Sequence, residues 1–397
     1  VTNAPGSLEA LRQLNRLRVL QALRRRGGAS RADIVRETQL SRTTVSSLVA
    51  ALLQEGLVVE CPDRTPQRSS PSGGRPGTVL TLNPSAGGVV GIDFGHDYIR
   101  VGVADLSCTL LTEDSCLLDV DHLAVEALEA ATVMTHDLID AAGIDRERIV
   151  GAGAALSAPF AARLHRIGSP AIFPSWLALD VEHELGERLR LPVHVGNDAN
   201  LGALAEATFG AGRGVDDLVY VMLGTGVGAG LVLDGRLYEG DSGIAAEIGH
   251  VVVDPDGLIC RCGGRGCLET VAGAEAIVRP LRPRHGSQLT LADVLALAEA
   301  GDAGARRVIR DSGRAVGRAL AAVCCVLDPR LVVVGGGVAS AGDVLLDGIR
   351  ESLERRMTPL KGQAVPVVRG ELGERAEVLG AIALVLSNTT TQLRPSG

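Results

Sequence analysis

The sequence predicts an α/β protein in which a small helical head with a two-stranded wing precedes a larger body of alternating strands and helices. Three observations carry that prediction. Past residue 88, short apolar runs alternate with stretches of helical spacing, as in layered α/β architectures. Glycine fills 50 of 397 positions and aromatics only 2%, so tight turns and close backbone approaches are expected rather than aromatic cages or base-stacking platforms. The charge is also divided. Residues 1–82 hold 12 arginines against six acids, a balance of +6, whereas the remainder carries −14, a split hidden in the total of −8. A basic head on an acidic body points to a nucleic-acid-binding module joined to a second unit. The expected division is a head at 1–82, a linker at 83–88 and a body at 89–397.

A chain that is 46% hydrophobic and 22% charged can bury substantial cores, so a disordered polymer is excluded. No apolar run reaches the roughly 18 residues of a membrane span. Val1 to Leu20 is polar and arginine-rich, without a signal-peptide core. The expectation is a cytoplasmic protein with no membrane partner. Eight cysteines over this length do not make a disulfide scaffold, and three of them crowd together at Cys260, Cys262 and Cys267.

In the head, Leu8, Leu11, Leu14, Leu17, Val19, Leu20 and Leu23 have near-helical spacing, and Gly27-Gly28 stops that helix. Ser30 can cap a second helix starting at Arg31, and Ser41 a third, from Arg42 to about Glu55. Leu57-Val58-Val59 and Thr78 to Leu82 read as the strands of a wing. Together they make a winged helix-turn-helix, whose third helix enters the major groove. Arg42, Thr43, Thr44, Ser46 and Ser47 form its polar face, while Val45, Leu48, Val49 and Leu52 point inward. Arginine can read guanine bidentately, and hydroxyls can reach bases or phosphates. Arg31 at the second helix start joins the DNA-contact candidates. Arg75, in the basic loop Gly73-Gly74-Arg75-Pro76-Gly77, can reach a minor groove or simply mark a wing-tip hinge. A protein-interaction module with a solvated polar face is the alternative for the whole head.

In the body, Val89 to Asp93 and Ile99 to Ala104 read as a hairpin around Gly95-His96-Asp97. Later strands fall at Ile149–Ala154, Val193–Val195, Leu218–Leu223, Ala229–Leu233 and Leu331–Val334. Helical stretches fall at about 122–142, 176–190, 199–208, 291–300, 304–327 and 341–356. Asp93 to Asp97 and Gly224-Thr225-Gly226-Val227-Gly228 repeat one strand–turn–strand theme, which suggests a duplicated core with a ligand cleft between its halves. Tight hairpin turns are the plainer reading of either segment alone.

Glu247-Ile248-Gly249-His250 is followed by Cys260-Arg261-Cys262-Gly263-Gly264-Arg265-Gly266-Cys267-Leu268-Glu269. His250, Cys260, Cys262 and Cys267 can complete a tetrahedral Zn2+ site with no open position, hence a structural one. Reduced thiols or a disulfide between two of them are the alternatives.

These spans resemble the signature of the ROK family of repressors, open reading frames and sugar kinases. Asn197-Asp198-Ala199-Asn200 and Gly335-Gly336-Gly337 extend the likeness over residues 87–390. The head further resembles the repressor branch, of the xylose and N-acetylglucosamine repressor type. The resemblance implies an actin-like, ribonuclease-H-like body of two lobes with a sugar in the cleft. By motif position it implies that Asn197, Asp198, Glu247, His250 and Glu269 contact sugar hydroxyls, since carboxylates accept hydrogen bonds from hydroxyl pairs. His250 can ligate zinc through one ring nitrogen and face the sugar with the other. Helix-start capping remains the alternative for Asp198 and Glu269. The function so implied is a sugar-responsive regulator, a repressor that binds operator DNA as a homodimer or homotetramer and is released by a sugar.

The sequence also departs from the family's kinases. Their first phosphate loop has the form Asp-x-Gly-Gly-Thr, and here the Gly-Thr pair is His96-Asp97. The imidazole is bulky, and Asp97 adds negative charge where a polyphosphate would lie. The Ser169 to Trp176 segment lacks the asparagine common near there in sugar kinases. The expectation is therefore a non-enzyme. The alternative is an ATP-dependent sugar kinase with Asp198 as general base.

Overall fold

The structure, a computed structural model, describes residues 8–61, 78–161, 166–167, 172–361 and 364–388. Helices α1 (Leu8–Arg26), α2 (Arg31–Thr38) and α3 (Arg42–Gln54) precede strands β1 (Val58–Cys61) and β2 (Val79–Leu82), which pair antiparallel as a wing. The helix starts have local causes. The Ser30 hydroxyl accepts from the Asp33 amide, and the Asp33 carboxylate accepts from the Ser30 amide at 3.0 Å, a reciprocal capping box. Ser41 caps α3 through the Thr44 amide at 3.1 Å. Val45, Leu48, Val49 and Leu52 are buried with Val19, Leu20, Leu23 and Ile34, as their spacing predicts. The loop bearing Arg64, Arg68 and Arg75 lies outside the described residues, as do residues 168–171.

In the body, β3 (Gly88–Phe94), β4 (Tyr98–Asp105) and β5 (Leu110–Leu117) run antiparallel. After α4 (Ala124–Ala142), β6 (Ile149–Leu156) joins β3 in parallel. A short hairpin of β7 (Phe160–Ala161) and β8 (Arg166–Ile167), then α5 (Val181–Leu189), leads to β9 (Val193–Asn197), parallel to β6. Helix α6 (Asp198–Phe209) crosses to the second lobe, where β10 (Leu218–Leu223), β11 (Val227–Leu233) and β12 (Arg236–Leu237) form another antiparallel run. A helical layer follows, of α7 (Glu269–Ala272), α8 (Ala274–Val278), α9 (Arg282–His285), α10 (Leu291–Glu299) and α11 (Ala303–Leu327). Then β13 (Leu331–Gly335), α12 (Asp343–Lys361) and β14 (Val367–Arg369) extend β10 in parallel, and α13 (Ala376–Asn388) comes last.

The strand orders β5-β4-β3-β6-β9 and β12-β11-β10-β13-β14 are one plan used twice. Each half lends a helix to the other. Helix α6 follows the first sheet but packs on β10 and β11, whereas α13 follows the second and packs on β3 and β6; the two helices cross between the sheets. The crossing, and the seat of α13 on β6, require glycine. A Cβ on Gly380 would fall 2.0 Å from the Leu201 carbonyl oxygen, and one on Gly153 2.1 Å from that of Ala381.

The head and body share a core. Val19, Leu20 and Leu23 of α1 belong to the same buried cluster as Val378, Ile382, Val385 and Leu386 of α13. Sequence periodicity does not reveal α13, because Ala376–Asn388 is apolar on nearly every side. Nor does it reveal β5, a half-exposed strand carrying Glu113 and Asp114, or the three-residue β14.

Candidate functional site

The β9–α6 junction builds one wall of a cleft between the lobes. Asn197 ends β9 and caps α6, its side-chain oxygen accepting from the Asn200 amide at 3.1 Å. Its amide nitrogen donates to the Asp198 carboxylate at 2.9 Å and to the Ala158 carbonyl at 3.1 Å. Capping therefore falls to Asn197, since the backbone amide that the Asp198 carboxylate accepts from is that of the neighbouring Ala199, at 2.7 Å. Burial pushes the Asp198 carboxyl above its usual range, opposed by the Ser157 hydroxyl, the Ala199 amide, the His96 charge and Asn197.

The opposite wall comes from the turn after β12. His250 directs Nδ1 to the Cys260 thiol at 3.7 Å and Nε2 to the Glu247 carboxylate at 4.0 Å. Burial lifts Glu247 to about 7, reinforced by the charges of Asp198 and Glu269 and opposed by Arg261. Glu269 opens α7 without capping it. Both of its oxygens are instead held by the Arg261 guanidinium, at 2.9 Å from Nε and 3.0 Å from Nη2. Asn197, Asp198, Glu247, His250 and Glu269 thus line one cleft of about 610 Å³, bordered by both glycine turns and by Gly335 to Gly337.

The first glycine turn is filled from within. The Tyr98 hydroxyl donates to Asp93 at 2.8 Å, and its ring lies so close that a Cβ on Gly95 would fall 2.3 Å from it. His96 pairs through Nδ1 with Asp121 at 2.8 Å, and its ring rests on Phe173 with centroids 5.6 Å apart. Asp93 is fully buried with one oxygen unpartnered. Burial lifts it to about 7, with Tyr98 opposing and the Asp198 charge adding. Glu377, in the first turn of α13, lines the same cleft and is pushed well up by burial and by the charge of Asp93.

Sequence reasoning missed Tyr98, Asp121, Arg261 and Glu377. Two carried a usable signal, since Glu377 is the sole charged residue of an apolar helix and Arg261 interrupts a run of candidate ligands.

The ligand atoms of His250, Cys260, Cys262 and Cys267 all lie within 4.8 Å of one another, close enough to hold a metal ion. Cys262 and Cys267 are free thiols with sulfurs 3.7 Å apart. Two sulfurs about 2.3 Å from one tetrahedral ion have nearly that spacing, so the donor set and its geometry fit a metal.

On the head, Arg42, Thr43, Ser46 and Ser47 are exposed along α3, whereas Thr44 is half-buried with its hydroxyl 2.8 Å from that of Ser41. Arg31 reaches across to Glu60 of the wing at 3.2 Å. Arg75 lies outside the described residues. Among the described residues, no helix is long and apolar enough to cross a membrane.

Comparison with known proteins agrees with this architecture. The xylose repressor of Bacillus subtilis is 28% identical over 378 residues, covering 95% of this chain and 96% of its own. A glucokinase of Thermotoga maritima is 40% identical over 227 residues, 54% of this chain and 72% of the glucokinase. The crystal structure of a ROK family transcriptional regulator, a homologue of the E. coli Mlc protein, covers 95% of this chain and 97% of its own, with 27% identity and a TM-score of 0.78. Residues 13–69 match the MarR family. With residues 89–388 matching the ROK family pattern, the chain belongs to the ROK family, a winged helix-turn-helix head on a two-lobed body of the sugar-kinase type.

Proposed function

We propose that this protein is a sugar-responsive DNA-binding regulator, a repressor that a sugar releases from its operator. One observation carries the reading. Glu377 in the first turn of α13 lines the cleft, while Val385 and Leu386 in its last turns share a core with the head. A ligand that prefers one arrangement of the lobes therefore has a direct mechanical path to the head. The exposed face of Arg42, Thr43, Ser46 and Ser47 supports operator contact, with Arg31, Thr44 and Arg75 as further candidates. Asn197, Asp198, Glu247, His250 and Glu269 suit a neutral polyol, because acceptors predominate among them.

In this reading, residues 1–82 form the DNA-binding unit, 83–88 the linker and 89–397 the sugar-binding body. The metal is a structural Zn2+, since three thiols and one imidazole leave no ligand position for reactive water. Two heads of a homodimer or homotetramer meet half-sites about 10 base pairs apart, or a multiple of that. Such a protein works in the cytoplasm, where the DNA is.

The second reading is an ATP-dependent sugar kinase. The glucokinase likeness and the raised Asp198 carboxyl, suited to a general base, favour it. Tyr98 over Gly95, and Asp97 beside it, weigh against it. The test begins by selecting bound sequences from random duplex DNA. The complex is then titrated with D-xylose, D-glucose and N-acetyl-D-glucosamine without nucleotide. Release by one of these sugars is expected. Tight sugar binding with unchanged DNA affinity overturns the regulator, and sugar-dependent ADP formation lost in Asp198→Asn establishes the kinase.

A further inference from the structure

The Arg261 side chain has no role in the reading above, yet it makes a two-point polar contact in the cleft. It stands between two candidate metal ligands, Cys260 and Cys262, and reaches into the cleft to hold both oxygens of Glu269 at 2.9 and 3.0 Å. The pair lies on the second glycine turn. A Cβ on Gly226 would fall 2.8 Å from Nη2 of Arg261 and 2.8 Å from the Glu269 carboxylate, so the turn's missing side chain makes the room that the pair occupies. The Val227 amide adds a long contact to the same carboxylate at 3.4 Å. Arg261 is one-third exposed and Glu269 only 12% exposed, and both side chains line the cleft.

We propose that Arg261 is a positioning and selectivity residue of the sugar site. It acts in two ways. The two-point bond fixes the carboxylate plane of Glu269, which a single-point bond would leave free to turn. It also supplies donors to a site otherwise dominated by acceptors, because Nη1 carries no partner among the described residues. A sugar hydroxyl is both donor and acceptor. It gives its proton to Glu269 and accepts one from Arg261, so neither of its functions is left unpaired. A deoxy analogue lacking that hydroxyl leaves both protein groups unsatisfied, which is how a polar site rejects it. The inference rests on the cleft being a sugar site, and it adds the residue that makes the site read hydroxyls rather than tolerate them.

The experiment measures, by calorimetry on the full chain, binding of D-xylose, D-glucose and N-acetyl-D-glucosamine, and then of the single-deoxy analogues of whichever sugar binds. The proteins are wild type, Arg261→Ala, Arg261→Lys, Glu269→Gln and the Arg261→Ala/Glu269→Gln double variant. Expected are a loss of about tenfold or more for Arg261→Ala, and a partial loss for Arg261→Lys, which cannot make the two-point bond. The double variant should lose less than the sum of the two single losses, since part of the Glu269 contribution depends on Arg261. Discrimination against one deoxy analogue should collapse in Arg261→Ala. Arg261→Lys keeps the charge and serves if the alanine variant does not fold. A merely structural role would lower melting temperature and metal content but leave that discrimination intact. Retained discrimination, or additive losses in the double variant, overturns the inference. Absence of binding by wild type to all three sugars would instead sink the sugar-site reading on which it stands.

Discussion

The guanidinium of Arg24, in α1 of the head, donates to the main-chain carbonyl of Leu386, in the last turn of α13, at 2.9 Å. It also reaches the Leu106 carbonyl at 3.4 Å. Burial lowers the pKa of this arginine, which among the described residues has no carboxylate partner and is held by backbone oxygens. Coupling between two sites is typically worth about 1–3 kcal/mol. If it runs through α13, Arg24→Met should leave sugar affinity nearly unchanged. The sugar-induced drop in DNA affinity should shrink by about fivefold or more. Paired titrations of sugar and of DNA, each with and without the other, measure both quantities.

Glu377 occupies the other end of that helix and is raised in part by the charge of Asp93, whose own carboxyl offers a pH test. The Asp93 carboxyl, ordinarily at 3.8, stands at about 7 in the folded protein. The folded state therefore holds a proton that the unfolded chain gives up, and stability falls as pH rises from about 4 through 7. Asp93→Asn keeps an acceptor for the Tyr98 hydroxyl without the charge. It should be more stable than wild type at pH 8, on the order of 2–4 kcal/mol, with the gain vanishing near pH 4. Urea unfolding at several pH values checks the slope.

Loss of one candidate metal ligand should be felt throughout the second lobe. Purified protein should carry one zinc ion per chain by elemental analysis. Cys262→Ser should lower both zinc content and the melting temperature, the latter by about 5 °C or more. Full zinc occupancy in Cys262→Ser would remove that thiol from the ligand set.

On the head, Arg42→Ala should weaken binding to a selected operator by about 1–3 kcal/mol and relax preference at a single base pair. Ser41→Ala, which removes the α3 cap, should cost about 1 kcal/mol of head stability. Anisotropy titrations against single-base operator variants separate the two effects.

Much of this protein can be read from local residues. The caps at Ser30 and Ser41, the inward face of α3, the two glycine turns and the cysteine spacing are short-range patterns, and residues a few positions apart have few alternative geometries. Of the cleft's acids, Asp198, Glu247 and Glu269 were legible by motif, because each sits at a fixed place beside a turn or a helix start. What only the tertiary structure decided depends on where strands, turns and helices deliver their side chains in space. Asn197, not Asp198, caps α6 because β9 delivers it there, and Tyr98 fills the first turn because its ring folds back on Gly95. Arg261 meets Glu269 only once the cysteine loop closes. The helix exchange, in which α6 and α13 each pack on the other half's sheet, left no periodic trace in α13, since a helix buried on all sides has no polar stripe. That burial joins the cleft to the head, and it arises from packing between segments whose separation no local pattern spans.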